Sequence, residues 1–308
     1  LMAPTHPREV AYEIEIGFDR DAHILGIRTV IHADIGAYVR TAALVPAEFG
    51  AALLPGPYRV PNYACDLWSV VTNKTPAGTL RSPGRPECNF VRERLLDQAS
   101  ARLGIDPAEL RRRNLVRPDE MPYDCGTKSF GVSTIYDSGD FPALFDELLR
   151  RLDYSRARAE QAATNSRPSG PRRGIGMAVY VEKTGLGPFE TTQVEARPDG
   201  RLVVDTGASS MGPGLETVLA QILGEALGLP ARQFDVRHAD TAAVESGVGT
   251  YGSRGTVTAG NAAHLAAAKL IAEARQRAAG QWGVAESDVT YARGVLEARG
   301  HRTTLADL

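Results

Sequence analysis

Several signatures that would assign a chemistry at once are absent from this sequence. It has no Gly-x-x-x-x-Gly-Lys-Ser/Thr segment, and no Gly-x-Gly-x-x-Gly directly follows a predicted strand, so neither common nucleotide-binding motif occurs in its usual context. Its three cysteines, Cys65, Cys88 and Cys125, are far apart and form no Cys-x-x-Cys pair. Neither an iron–sulfur cluster nor a structural zinc site is therefore expected in this chain, and a reduced, cytoplasmic protein is the simplest interpretation.

Net charge and long apolar runs are also limited. The formal net charge is −2, which gives no reason to expect a nucleic-acid partner, and the short runs Arg111–Arg113 and Arg172–Arg173 are interpreted as solvated faces or helix C-termini. No apolar run approaches the ~20 residues that a membrane span needs. The chain does have 308 residues with 43% hydrophobic content, which is enough for two domains with cores of their own.

Strand and helix patterns alternate through both halves of the chain, which predicts an α/β to α+β fold with two mixed domains. Residues 155–173 are charged and contain Pro, Gly and Ser, so they predict a linker and a boundary near Arg167, with domains 1–167 and 168–308. The predicted strands are 10–18, 24–34, 66–73, 175–182, 190–196, 201–206, 233–240 and a hairpin within 287–299. The predicted helices are 88–103, 107–113, 141–152, 215–227 and the Ala-rich run 260–279. The apolar face of the first is formed by Phe90, Val91, Leu95, Leu96, Ala99 and Leu103.

Three loops rich in small residues each lead into a predicted helix: Gly78–Pro86, Gly207–Gly214 and Gly247–Gly260. Glycine costs backbone entropy, so clusters of it need a physical reason. A helix N-terminus preceded by small residues can bind an anion through its unpaired N–H groups. A tight turn with a Ser or Thr cap is the alternative for any one loop, but three such loops in one chain favour a large anionic ligand.

These loops carry a resemblance to a known family. The segments "GTLRSPGRPECNFVRERLLDQASARLGIDPAELRRRNLV", "TGASSMGPGLETVLAQILGEALGLP" and "DTAAVESGVGTYGSRGTVTAGNAA" resemble the cofactor loops of the large, molybdenum-cofactor-binding subunit of the xanthine dehydrogenase, aldehyde oxidase and carbon monoxide dehydrogenase family. The resemblance extends over essentially the whole chain. It implies two domains of the molybdopterin-binding type, the first incomplete at its N-terminal end and the second at its C-terminal end.

The resemblance implies a molybdopterin cofactor, in the cytosine dinucleotide form common among bacterial members, whose pyrophosphate would suit the glycine-rich helix ends. It further implies a molybdenum hydroxylase that oxidises an aldehyde or an N-heterocycle with water as the oxygen source. Electrons would leave through iron–sulfur and FAD subunits or domains of the same enzyme, which would be an oligomer. The substrate itself does not follow from the resemblance, because the pocket side chains vary around one chemistry.

The resemblance also implies positions for the site residues. Leu80, Arg81 and Ser82 would lie on the loop that faces the metal and the substrate. No side chain of this chain would bind the metal directly. The cofactor would be lined by Gly212, Pro213, Gly214, Gly249, Thr250, Tyr251, Gly252, Ser253 and Arg254.

Structural roles are the alternatives for several of these residues. Gly212 and Gly214 could form a plain helix entry, Arg81 could cap carbonyl groups, and Arg254 could belong to a structural ion pair. Other polar residues near the loops are not assigned to the cofactor. Glu216 and Asp240 are interpreted as cap or surface residues, and His32, His238 and His264 are not expected to be ligands.

Three departures from the family pattern change what is expected of this chain. Pro213 stands where the family has a Gln whose amide contacts the metal centre, and proline offers neither an N–H donor nor an amide. Ser82 stands where carbon monoxide dehydrogenases have a copper-bound Cys, so oxidation of carbon monoxide is not expected. The family's Gly-x-Gly-Glu segment, which carries its general base, does not occur.

No catalytic residue is therefore predicted, and the chain alone is expected to be inactive and without cofactor. A non-catalytic pair of scaffold domains is the alternative.

Overall fold

The computed structural model describes residues 5–6 and 8–308, which form two compact units. The first unit extends to Glu182 and the second runs Lys183–Leu308. Each unit combines small sheets with helices, which confirms the predicted mixed class of fold. Among the described residues, no helix is long and apolar enough to cross a membrane.

The first unit contains a sheet of three strands in the order β1-β2-β3. β1 (Val10–Phe18) and β2 (Ile24–Gly36) form the predicted antiparallel hairpin, and β3 (Tyr63–Val71) lies parallel to β2. The turn between the first two strands is closed by Asp19, whose carboxylate accepts the N–H of His23 at 2.8 Å. Side chains on β1 alternate between half-buried and exposed positions, as the polarity pattern predicts.

The remaining elements of the first unit are helices and a hairpin that was not predicted. The helices are α1 (Val45–Ala52), α2 (Arg85–Leu103), α3 (Pro107–Asn114), α4 (Phe141–Leu152) and α5 (Tyr154–Asn165). The hairpin pairs β4 (Tyr123–Ser129) with β5 (Val132–Tyr136). Asp106 caps α3 as predicted, because its carboxylate accepts the N–H of Ala108 at 2.8 Å.

The buried face of α2 agrees with the predicted one at Leu96 and Ala99 but differs at its ends. Phe90 is 71% exposed and Leu103 is 42% exposed, although the apolar pattern placed both inside. A charged cluster takes the buried position, where the Glu93 carboxylate accepts hydrogen bonds from Arg92 Nε at 2.9 Å and from Arg111 Nε at 2.8 Å. The three-arginine run lies in the last turn of α3, which confirms a helix C-terminus. The Arg111 side chain is fully buried, so a solvated face is wrong at that position.

The same two arginines bind the segment 175–182, which was predicted as a strand. The segment is extended, but no strand of the described structure pairs with it, so that prediction is wrong. Side chains bind its carbonyl groups instead, since Arg111 Nη2 donates to Met177 O at 3.2 Å and Arg92 Nη2 donates to Val179 O at 2.7 Å. A β-strand needs a neighbouring backbone, which a local sequence pattern does not supply.

The second unit packs two helices against a three-stranded sheet. β6 (Thr192–Ala196) and β7 (Leu202–Thr206) form the predicted antiparallel hairpin, and β8 (Phe234–His238) lies parallel to β7. α6 (Leu215–Leu227) and α7 (Gly260–Trp282) follow β7 and β8, respectively. The helices and the sheet share one apolar core, which accounts for the helical spacing of apolar residues in both segments.

A three-stranded meander follows α7. β9 (Thr290–Ala292) and β10 (Val295–Ala298) form the predicted hairpin, and β11 (His301–Thr304) adds a strand antiparallel to β10. Ala278 of α7 and Leu296 of β10 are fully buried where the meander meets the helix. β11 was not predicted because its residues, His-Arg-Thr-Thr, have no apolar periodicity.

The predicted linker is helical in its first half. Residues 155–165 belong to α5, where Arg156 and Glu160 form an ion pair of 2.8 Å at helical spacing, so the charges that suggested a linker support a helix instead. Residues 166–174 are exposed and contain no helix or strand. The two compact units divide between Glu182 and Lys183, and the domain boundary near Arg167 stays a prediction.

Limited digestion with trypsin is expected to cut first after Arg172 or Arg173. Exposed backbone outside helices and strands is the preferred site of nicking, and Arg167 precedes a proline that blocks the enzyme. Mass spectrometry of the first two fragments identifies the cleaved bond. First cleavage inside 214–228 or 260–279 would count against the predicted linker and domain boundary in this segment.

Candidate functional site

Two loops of the second unit meet because of the strands that precede them. β7 and β8 are parallel neighbours, so their carboxyl ends lie at the same edge of the sheet. The loop Gly207–Gly214 leads from β7 to α6, and residues 239–254 lead from β8 toward α7. The loops touch directly, because the N–H of Ser209 donates to Thr250 Oγ1 at 3.0 Å. The structure thus brings together the two predicted cofactor segments of this unit.

Gly207 and Gly247 allow the close approach of these loops. A Cβ atom on Gly247 would lie 2.5 Å from the Cα of Gly207, and one on Gly207 would lie 2.6 Å from the Cα of Gly247. Carbon atoms in contact normally stay ~3.5–4.0 Å apart, so a larger residue at either position would have to displace a backbone. Packing within the protein is therefore one physical reason for the glycine-rich composition.

A buried carboxylate that the sequence analysis did not single out organises the second loop. Glu190 precedes β6, and its side chain is fully buried. It accepts the N–H of Val248 at 3.3 Å and the N–H of Gly249 at 3.2 Å, and it pairs with Arg254 at 2.5 Å. Because Glu190 is 59 residues from Gly249 along the chain, no local pattern identifies this role.

The Arg254 guanidinium is enclosed by carbonyl groups from two segments. Its side chain is 1% exposed, its Nε donates to Leu186 O at 2.7 Å, and its other nitrogens also donate to the carbonyls of Phe189 and Gly249. Its Cζ lies 5.3 Å from the centroid of the Tyr251 ring. The structure contains the ion pair that was one alternative for Arg254. Contact with a cofactor stays a prediction, and most of the guanidinium donors already have protein partners.

The segment 185–190 also binds the tip of the second loop through its backbone. Gly185 N–H donates to Ser253 O at 3.2 Å, and Leu186 N–H donates to Gly252 O at 3.4 Å. A Cβ atom on Gly252 would lie 2.7 Å from Leu186 Cδ1, and the φ angle of Gly252 is +55°. Glycine is therefore required at this position by the protein itself, so a substitution of Gly252 cannot isolate a ligand contact.

The predicted segment Gly212–Gly214 borders open space at the N-terminus of α6. Gly212 and Pro213 are exposed. Within the described structure, a Cβ atom on Gly212 or Gly214 would have no atom within 4 Å outside the adjacent residues. The segment therefore leaves room for a ligand, and its contact with a cofactor stays a prediction.

Hydrogen bonds through Glu216 link this loop to α6 and β8. Glu216, in the first turn of α6, accepts from Ser210 Oγ at 3.1 Å and is hydrogen-bonded to His238 Nε2 at 2.9 Å. Hydrogen bonds from its own N–H and from His238 lower the pKa of Glu216, so its carboxylate is ionised at neutral pH. These contacts give Glu216 and His238 a structural role at the base of the loop.

The predicted substrate-side loop belongs to the first unit. Leu80 is 55% exposed, and the Arg81 side chain is exposed as well. The loop is held by Arg8, which donates to the carbonyl of Arg81, and Ser82 adopts a φ angle of +56° just before α2. The orientation of this loop toward a metal and a substrate stays a prediction.

The start of α7 lies next to the second loop and offers backbone N–H donors. A π-helical turn, Gly255–Ala259, runs directly into α7 and forms the start of this helix. The carbonyl of Arg254 accepts both the N–H and the Oγ1 of Thr258, at 2.7 and 2.8 Å. The first N–H groups of a helix have no carbonyl partner within it and carry partial positive charge. A Cβ atom on Gly255 would reach only Leu215 Cδ1, at 3.9 Å, so this helix end is sterically open.

The donors assembled here fit a phosphate-bearing group better than a bare metal ion. In the part of the chain that the structure describes, no three His, Cys, Asp or Glu side chains are grouped to hold a metal. The loops offer backbone N–H groups, hydroxyls and a helix N-terminus, which together bind anions. The arrangement can therefore hold the phosphate part of a cofactor.

Comparison with known proteins shows which family of cofactor-binding domains this chain matches. Models of the molybdopterin cofactor-binding domain match residues 1–115 and 147–308. The 6-hydroxypseudooxynicotine dehydrogenase complex subunit gamma of Paenarthrobacter nicotinovorans is 38% identical over 300 residues, which cover 97% of this chain and 38% of the relative. The carbon monoxide dehydrogenase large chain of Hydrogenophaga pseudoflava is 34% identical over 321 residues, which cover 98% of this chain and 39% of the relative.

Two solved structures share the fold. The Cu,Mo-CO dehydrogenase and quinoline 2-oxidoreductase from Pseudomonas putida 86 each match with a TM-score of 0.86 at 29% identity, covering 98% of this chain and 40% of the other chain. The chain thus spans about two fifths of the length of these relatives. It belongs to the molybdopterin cofactor-binding family of molybdenum-dependent oxidoreductases, which includes the carbon monoxide dehydrogenase large chain and the xanthine dehydrogenase molybdenum-binding subunit.

Proposed function

We propose that this chain supplies both molybdopterin-binding domains of a molybdenum hydroxylase, with the cofactor in its cytosine dinucleotide form. The observation that carries the proposal is the meeting of the loops Gly207–Gly214 and Gly249–Arg254 beside two helix N-termini of the second unit. The N–H groups at such helix ends suit the pyrophosphate of a dinucleotide. When bound, the molybdenum centre would oxidise a carbon of an aldehyde or an N-heterocycle with water as the oxygen source.

The chain's own residues would hold and orient the cofactor. N–H groups at the start of α7 and the Ser253 hydroxyl would bind its phosphate-bearing part. The segment Gly212–Gly214 would border its pterin and metal end, and the loop Leu80–Ser82 would face the substrate. No residue of this chain is assigned as the general base. These residues of the loops and of the start of α7 are therefore proposed to support the cofactor and the substrate.

Pro213 favours the alternative, a non-catalytic pair of scaffold domains that folds without cofactor. Proline can donate no hydrogen bond from its backbone and has no side-chain amide. At the metal end of the site, the segment could then donate only through the N–H groups of Gly212 and Gly214. The two possibilities differ in whether the folded protein contains molybdenum.

Iron–sulfur and FAD subunits of the same enzyme are the proposed partners. The relative from Paenarthrobacter nicotinovorans is named as one subunit of a dehydrogenase complex, and the relative from Hydrogenophaga pseudoflava is named as a large chain. A chain of the same family would accordingly pass its electrons to other chains or domains. Co-purification of iron, acid-labile sulfide and flavin with the enzyme that contains this sequence tests the assignment.

Analysis of that enzyme for molybdenum and nucleotide tests the proposed cofactor. We expect molybdenum in the purified protein and release of cytidine monophosphate, in equal amounts, after acid hydrolysis. Molybdenum without cytidine monophosphate would contradict the dinucleotide form. A folded, fully assembled protein without molybdenum would support the scaffold alternative and refute the enzyme.

Gly255→Ala is expected to lower cofactor retention by about 5-fold in the cofactor-loaded enzyme, because a methyl group at a ligand contact costs at least ~1 kcal/mol. The protein itself has room for the methyl group, since Leu215 Cδ1 is the nearest atom at 3.9 Å. Molybdenum content after gel filtration measures retention, and circular dichroism controls for the fold. Equal retention in a folded variant would place the phosphate away from this helix end.

A further inference from the structure

The Glu190–Arg254 pair joins the loop that is proposed to bind the cofactor to the segment before β6, and neither side chain reaches the surface. The side chains are 0% and 1% exposed and the charged atoms are 2.5 Å apart. Burying two charges has a desolvation penalty, and well-packed apolar residues often stabilise a fold as well as such a pair does. Stability alone is therefore a weak reason for this pair, and its hydrogen bonds point to a geometric role.

These hydrogen bonds determine which donors of the loop remain for a ligand. Glu190 accepts the N–H groups of Val248 and Gly249, so those donors are already used within the protein. Arg254 binds the carbonyl of Gly249, which holds the same residue from its other side. Beyond this point Tyr251 and Ser253 are exposed, and the first turn of α7 follows.

We propose that Glu190 and Arg254 are positioning residues that shape the loop Gly249–Arg254 before the cofactor binds. Glu190 acts as an internal anion: it satisfies the first N–H groups of the loop and thereby leaves the phosphate to the later donors at the start of α7. Arg254 neutralises this carboxylate, so that it does not repel the phosphate. The identity of the ligand rests on the proposed function, whereas the shape of the loop does not.

If Glu190 and Arg254 acted only through their charges, substitutions of the two residues would change anion binding differently. If Arg254 acted by attracting the ligand through its charge, removing the negative charge of Glu190 would strengthen anion binding, and lysine could replace Arg254. If the pair positions the loop, Glu190→Gln and Arg254→Lys both weaken anion binding. The side chain introduced by Glu190→Gln would face the N–H groups of Val248 and Gly249 with an N–H or a neutral oxygen in place of a carboxylate. Lysine also lacks the planar fork of donors that holds several carbonyl groups at once.

Hydrogen exchange in the purified 308-residue chain tests the loop geometry without any cofactor. In Glu190→Gln, the amides of Val248 and Gly249 should lose protection by roughly 10–150-fold, as expected when a hydrogen bond to a charged group is lost. Arg254→Lys should raise exchange at the same two amides and provides a second test if the first variant does not fold. Unchanged exchange at both amides in the folded variants would overturn the proposal.

Inorganic pyrophosphate is the ligand probe, titrated calorimetrically into the same proteins. Both variants should bind it roughly 10–100-fold more weakly than the unaltered chain, the usual effect of removing a group that orients a ligand-binding residue. Asp205→Asn is the matched control, because it breaks an ion pair of 2.6 Å with Arg237 on the sheet of the same unit and should change neither readout.

The outcomes separate this proposal from the proposed function. Tighter binding of pyrophosphate by Glu190→Gln would establish an electrostatic role and overturn the positioning role. If the unaltered chain binds no pyrophosphate but the two amides still depend on Glu190, the positioning role stands and the assignment of this loop to phosphate fails.

Discussion

Replacing Glu93 with alanine is expected to lower the free energy of unfolding by about 3–5 kcal/mol. The substitution leaves two guanidinium groups without their shared carboxylate, and these side chains, Arg92 and Arg111, are 2% and 0% exposed. It also removes the acceptor of the Tyr58 hydroxyl, which lies 3.1 Å from both carboxylate oxygens. Urea denaturation followed by circular dichroism measures the loss as a lower transition midpoint.

Arg112→Met is the matched control, next to Arg111 on the same helix. Arg112 is 41% exposed and pairs with Glu109 at 2.8 Å and with Asp146 at 2.7 Å. Exposed ion pairs contribute about 0–1 kcal/mol, so the control should change stability little, whereas Arg111→Met should approach the loss seen in Glu93→Ala. A Glu93→Ala variant within about 1 kcal/mol of the unaltered protein would show that the cluster does not stabilise the first unit.

Gly247→Ala is expected to reduce cofactor retention roughly 100-fold, near the upper end of the ~1–3 kcal/mol that overpacking costs. The added Cβ atom would lie 2.5 Å from Gly207 Cα and 2.9 Å from Glu190 Oε1. Both the contact between the two loops and the carboxylate that holds one of them would therefore have to shift. Molybdenum content of the enzyme that contains this sequence, measured after gel filtration, reports the loss.

Gly280→Ala controls for the effect of adding a methyl group to glycine in this unit. Gly280 lies within α7, and a Cβ atom there would have no neighbour within 4 Å in the described structure. Alanine in a helix is favoured over glycine by about 0.5–1 kcal/mol, so this variant should keep its cofactor and gain stability. Equal cofactor content in Gly247→Ala and Gly280→Ala would refute the requirement for close loop contact.

Local patterns were sufficient for several elements that depend on residues close together in the chain, although the hairpin β4–β5 and the helix α5 were missed. The hairpins β1–β2 and β6–β7, the Asp106 cap and helix α4 were predicted correctly, because turns, caps and helical periodicity involve neighbouring residues. The cofactor class was also accessible from the sequence. The small residues that resemble the family's loops are contiguous, and the comparison with known proteins confirms that resemblance.

Contacts between distant segments decided what the patterns could not. Arg111 is buried because Glu93, 18 residues away, lies opposite its guanidinium, although an arginine run is usually solvated. The segment 175–182 alternates like a strand but is bound by arginine side chains instead of a neighbouring backbone. Glu190 reaches Arg254 across 64 residues, so the pair that holds the candidate cofactor loop exists only once the chain has folded. A buried charge is stable only beside its partner, and the partner's position is a property of the tertiary structure.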